Sequence, residues 1–240
     1  MQLHLEVVLF LFQLKVNLNL YLPSPGFLTY QLSKNEMDFI WERIAEATDP
    51  GKDPNLYNKQ LAGNISKSFD MGLHNLEIIN DIVFPLVREY EKQFSHILPF
   101  DSQVSGKEGY TRYMTLNDWW VNYQYQTEFN PTHHHSGVYS WVIWMKIPTE
   151  FEDQAKLPIA ANSNANDKIS NFSFTYIDTL GKVMEYVIKM NKVQEGTMAF
   201  FPARLKHSVY PFFNCDEPRI SVAGNVSMYS TPSKDPKKEK

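Results

Sequence analysis

After Pro99 the chain changes texture, and that change constrains the fold more than any other feature. Eight short segments follow, rich in β-branched and aromatic residues: 110–116, 119–127, 135–147, 172–177, 183–190, 197–201, 206–212 and 219–228. Turn signals such as Leu180-Gly181-Lys182 and Gln194-Glu195-Gly196 separate several of them. Before Pro99 the period is helical. Ser33 stands three residues ahead of Glu36, a capping box, and Met37, Ile40, Trp41 and Ile44 recur behind it, which predicts a helix over 34–47. A second helical stretch covers 73–94, with Leu76, Ile79, Val83, Val87, Tyr90 and Phe94 on one side. Pro85 interrupts it, and Asp81 is placed to cap a fresh start. Helices followed by strands predict an α+β, mainly β fold: a jelly roll or sandwich supported by two N-terminal helical regions.

At 240 residues and 28.0 kDa the chain fits one domain, and no repeat or linker divides it. The expected divisions are an N-terminal strand and extension (1–26), helical support (27–100), the strand-rich body (101–228) and a flexible tail (229–240). The Asn/Ala/Ser stretch from Ala160 to Ser170 reads as a mobile insertion. Residues 1–22 are apolar but lack the basic start and small-residue cleavage site of a signal peptide. Glu6 and Lys15 interrupt the run, and from Leu14 it alternates through Val16, Leu18, Leu20 and Leu22, the period of a half-buried strand rather than a membrane span. A net charge of −4 offers no basic surface for nucleic acid. Cys215 is the single cysteine, which rules out an intramolecular disulfide and suits a reducing cytoplasm. Its Asn214-Cys215-Asp216-Glu217 loop gives no support for a nucleophilic role.

Chemistry concentrates in the histidines. Of seven, three are consecutive, His133, His134 and His135, between Asn130-Pro131 and Ser136-Gly137. In extended chain residues i and i+2 share a side, so His133 and His135 can meet one centre while His134 turns away. Imidazole is the commonest protein ligand for mid-row divalent metals. A third ligand must come from a distant strand, and His207, between Phe201-Pro202 and Ser208-Val209-Tyr210, is the candidate. His4, His74 and His96 read as structural. Arg219 and Ser221 share a face of the last strand, and a guanidinium fork with a hydroxyl suits a carboxylate; the competing reading pairs Arg219 with Glu217. Trp119, Trp120, Trp141 and Trp144 are candidates for a pocket lining or for plain core.

His-x-His at a strand mouth, a distant His after Phe-Pro, then Arg-x-Ser resembles the iron(II)/2-oxoglutarate-dependent oxygenases, with a phage-type subgroup closest. The matching stretches are Asn122-Tyr123-Gln124, Phe129-Asn130-Pro131, Ser136 through Ser140, Phe201-Pro202 through His207, and Arg219 through Asn225, with Leu61 through Ile65 also similar. The resemblance implies a double-stranded β-helix and an oxygenase, a hydroxylase, that couples oxidative decarboxylation of 2-oxoglutarate to oxidation of a small-molecule or protein side-chain substrate by O2. It implies Fe(II) on His133 and His207, and 2-oxoglutarate on Arg219 with Ser221, with Asn122 and Tyr139 as further contacts. The family places a carboxylate where His135 stands, so the expected set is His133, His135 and His207, with Glu128 or Asp118 as possible replacements. A three-histidine cupin-like dioxygenase and a structural jelly roll are the alternatives.

Overall fold

The computed structural model describes residues 26–94, 110–164 and 166–232. The alternating stretch Leu14–Leu22 and residues 233–240 of the expected tail lie outside the described residues. Among the described residues, no helix is long and apolar enough to cross a membrane.

Strand β1 (Leu28–Gln31) leads into helix α1 (Lys34–Ala47), which begins at the predicted capping box. The Ser33 side chain accepts from the Glu36 N–H, and Glu36 accepts the Ser33 N–H at 2.7 Å, satisfying donors that a helix start leaves unpaired. Ile40 and Ile44 point into the core beside Arg43, whose guanidinium lies 5.6 Å from the Trp119 ring. After β2 (Lys67–Asp70), helix α2 runs unbroken over Glu77–Phe94. The fresh start expected at Asp81 does not occur. Pro85 removes one internal hydrogen bond, but Val83, Val87 and Tyr90 are buried around it, and packing of that face holds the helix together.

The remaining elements are β3 (Tyr110–Gln124), β4 (Asn130–His133), β5 (Tyr139–Lys146), short helices α3 (Phe151–Gln154) and α4 (Pro158–Ala161), and strands β6 (Phe172–Ile177), β7 (Val183–Ile188), β8 (Thr197–Pro202), β9 (Lys206–Val209) and β10 (Arg219–Pro232). They form a six-stranded sheet, β1-β8-β5-β10-β3-β2, and a four-stranded sheet, β4-β9-β6-β7, with antiparallel pairing throughout. This is the double-stranded β-helix, or jelly roll.

Three expected boundaries shift. Segments 110–116 and 119–127 are one strand, whose ladder with β10 skips Asn117. Residues 229–232 are not a tail, because Tyr229 and its neighbours pair with β3. Only the ends of the Ala160–Ser170 stretch are packed, Ala160 and Ile169 clustering with Phe151 and Ser170 lying fully buried beside Asn171, while residues 161–164, 166 and 167 are exposed.

Strand alternation sorts the large sheet into two faces. Trp119 and Val121 of β3, Tyr139, Trp141, Ile143 and Met145 of β5, and Ile220 and Val222 of β10 pack against α1 and α2. Val142 and Trp144 face the small sheet with Phe172, Phe174, Ala199 and Phe201. The inner face of β3 and β10 therefore carries Trp120, Asn122, Gln124, Arg219, Ser221 and Ala223.

Candidate metal centre

At the open end between the sheets, β4 and β9 pair so that His133 stands opposite His207. His135 follows in the loop, where its N–H donates to the Ala203 carbonyl at 2.8 Å. The loop then turns at Gly137, with φ of +91°. A Cβ there would stand 2.7 Å from the Val226 carbonyl oxygen, so only glycine fits. Gly137→Ala is expected to destabilise the fold by about 1–3 kcal/mol, read as a lower urea midpoint at unchanged slope.

The structure brings His133, His135 and His207 together, with one nitrogen from each lying within 4.8 Å of the others. His135 Nε2 and His207 Nε2 are 3.2 Å apart. His133 Nδ1 is 2.7 Å from the Pro131 carbonyl and His207 Nδ1 is 3.0 Å from that of Leu205. A carbonyl only accepts, so both Nδ1 atoms carry hydrogen and both Nε2 lone pairs are free. Burial holds the His133 imidazole below its ordinary pKa, pushes His135 down to about 4 and takes His207 well below the usual range, with the neighbouring imidazoles adding to the last two. Phe172, Phe174 and Phe201 surround His207, and Trp120 packs on His135. His134 is exposed and outside the cluster.

This donor set fits a divalent mid-row metal. Three neutral imidazoles whose nitrogens cluster within 4.8 Å are good ligands, and two nitrogens sharing one ion at about 2.1 Å stand roughly 3.0–3.4 Å apart. No carboxylate joins the cluster among the described residues. The replacements considered from sequence are occupied elsewhere. Glu128 accepts the N–H groups of Ser66 and Tyr125, while Asp118 accepts from Tyr57 Oη at 2.9 Å and Asn225 Nδ2 at 2.7 Å.

The histidines border a cavity of about 110 Å³ that is also lined by Tyr57, Leu61, Trp120, Asn122, Gln124 and Ser221. Asn122 is 8% exposed and its Oδ1 has no hydrogen-bond partner, an unsatisfied amide beside the histidines. Of the four tryptophans, Trp120 borders the cavity, Trp141 belongs to the helix-facing core with Trp119 and also reaches the cavity, and Trp144 belongs to the second core.

Arg219 is 2% exposed and lies behind Gln124, whose Oε1 accepts from Nη1 at 3.3 Å. Nη2 donates to the Ser170 carbonyl and, at 2.8 Å, to Ser170 Oγ; Nε has no partner. Glu217 pairs with Lys146 at 2.6 Å, so the competing reading of Arg219 does not hold. Burial with no carboxylate beside it lowers the guanidinium pKa to about 9. It stays charged at neutral pH, and among the described residues no carboxylate pairs with it.

Tyr139 is a correction. It lies on the opposite face of β5, packed against Tyr90 and Phe200, and does not border the cavity. Gln124 and Ser170 are functional candidates that reading the sequence passed over. Alternation from Asn122 points to Gln124; nothing in the sequence around Ser170 signals its contact.

Residues 118–225 match the family described as "Putative 2OG-Fe(II) oxygenase". No curated protein matches the chain. Among solved structures, the viral collagen prolyl hydroxylase of Paramecium Bursaria Chlorella virus-1, in complex with 2OG, is 16% identical, covering 83% of this chain and 94% of that one, with a TM-score of 0.44. A Pseudomonas putida prolyl-4-hydroxylase is 11% identical over 88% and 95% of the two chains, with a TM-score of 0.47. A 2OG-Fe(II) oxygenase-family oxidoreductase from Burkholderia pseudomallei is 12% identical over 84% and 85%, with a TM-score of 0.43.

Proposed function

We propose, from the match of residues 118–225 to a 2OG-Fe(II) oxygenase family, that the chain is an oxygenase using Fe(II), 2-oxoglutarate and O2, that His133, His135 and His207 hold its iron and that Arg219, Ser221 and Asn122 receive its 2-oxoglutarate. The observation that carries this reading is the convergence of three imidazoles within 4.8 Å on the cavity that Asn122 and Ser221 also line. When bound, iron with 2-oxoglutarate supplies oxidation of a substrate C–H bond by O2, releasing succinate and carbon dioxide. The reaction we assign is hydroxylation of a small molecule or protein side chain.

The protein's own residues do the remaining work. The Pro131 and Leu205 carbonyls keep the His133 and His207 rings in one tautomer and orientation. The phenylalanines around His207 exclude water from that side of the centre. Arg219 offers fixed positive charge to the distal carboxylate, and Ser221, two residues further along the same face, adds a hydroxyl. A substrate entering the cavity would meet, beside the histidines, the wall formed by Tyr57, Leu61 and Trp120.

Calorimetry with Mn(II) in place of iron tests the assignment by order of addition. Expected is 2-oxoglutarate binding that is at least about tenfold tighter after metal than before it. Metal binding with no affinity for 2-oxoglutarate would instead favour a three-histidine dioxygenase of the cupin type, and no metal binding at all would leave a structural jelly roll.

A further inference from the structure

We propose that Ser170 is a specificity-determining residue: by tethering Arg219 from behind, it sets the length of 2-oxo dicarboxylate that the site accepts. The inference rests on the reading of Arg219 as the carboxylate anchor. Ser170 is fully buried and holds a left-handed backbone, φ +64°, unusual outside glycine. Its N–H donates to the Pro211 carbonyl at 2.9 Å, and its Oγ lies 3.3 Å from Thr149 Oγ1. The next residue is fixed as well, since Asn171 Oδ1 accepts the Met190 N–H at 2.9 Å. Ser170 is therefore a rigid post.

Both its oxygens take hydrogen bonds from Arg219 Nη2, and the Phe212 ring centre lies 5.3 Å from the guanidinium carbon. Arg219 does not itself line the cavity; toward it the guanidinium has one long contact, Oε1 of the cavity-lining Gln124 at 3.3 Å. A carboxylate oxygen replacing that amide oxygen would gain a shorter, charge-assisted bond, and because Ser170 does not line the cavity its bonds to Arg219 need not break. The reach of the charge toward the histidines is thus fixed by where Ser170 holds it. A 2-oxo acid one carbon shorter or longer, anchored at its 2-oxo end on the metal, would present its distal carboxylate at the wrong depth.

The test is calorimetric, on the full chain loaded with Mn(II), with oxaloacetate, 2-oxoglutarate and 2-oxoadipate as probes. Wild type is expected to favour 2-oxoglutarate by at least about tenfold over either homologue. Ser170→Gly suits the left-handed backbone and removes the hydroxyl; its discrimination is expected to fall below about threefold, with Mn(II) affinity unchanged. Ser170→Ala reads the same point should the glycine variant fold poorly. Either variant keeping tenfold discrimination overturns the proposal. If Arg219→Gln binds 2-oxoglutarate like wild type, the assignment of Arg219 fails instead, and the two failures are distinct.

Discussion

His207→Ala is expected to weaken Mn(II) or Fe(II) binding by at least about 100-fold, while His134→Ala changes it less than about twofold. The two residues make a controlled comparison because both border the cavity. His207 is 4% exposed, stands opposite His133 across β4 and β9, and has its Nε2 lone pair freed by the bond from Nδ1 to Leu205. His134 is exposed and sends no nitrogen into the cluster. Removing His207 leaves two imidazoles with no carboxylate to compensate. The metal-free fold should lose about 1–3 kcal/mol, since the Leu205 carbonyl loses its donor and the aromatic shell a packing partner. Calorimetry reads the first effect and urea unfolding the second. Similar metal affinities in the two variants would refute the assignment of His207.

How far the sequence carried depended on whether each signal was local. Helix α1 begins where Ser33 and Glu36 predict, because both halves of a capping box lie within four residues. The histidine pair was legible from alternation alone, and so was the shared face of Arg219 and Ser221. Tyr139 was expected from the resemblance alone, and local geometry takes it elsewhere: the chain turns at Gly137, the strand starts at Tyr139, and its ring joins the core with Tyr90 and Phe200. The strand character of residues 229–232 was hidden because it comes from pairing with β3, a partner more than a hundred residues away. Ser170 was illegible for the same kind of reason. A serine in an Asn/Ala/Ser stretch shows nothing of the left-handed backbone that aims its carbonyl and hydroxyl at a guanidinium 49 residues later. The roles of Glu128 and Asp118 likewise depend on which backbone amides and side chains the fold delivers to them.

The second large effect concerns that guanidinium. Arg219→Met is expected to abolish 2-oxoglutarate binding while changing the stability of the metal-free fold by less than about 1 kcal/mol. Two opposing terms produce the small stability change. Wild type keeps a fully buried charge with no anion beside it and an unpartnered Nε, a desolvation cost of several kcal/mol. Methionine removes that cost and fills most of the space, but leaves Ser170 and Gln124 without a donor, at about 1–3 kcal/mol. A residue held in the fold at little net benefit is one whose value lies in a ligand. The ligand should therefore reveal it. In the presence of Mn(II), 2-oxoglutarate at about a hundred times its dissociation constant should stabilise wild type by about 2.7 kcal/mol and Arg219→Met by nothing measurable. Urea unfolding of both proteins, with and without 2-oxoglutarate, gives the four numbers needed. A variant that unfolds several kcal/mol earlier in the absence of ligand would mean that Ser170 and Gln124 already balance the charge, and that Arg219 serves the fold.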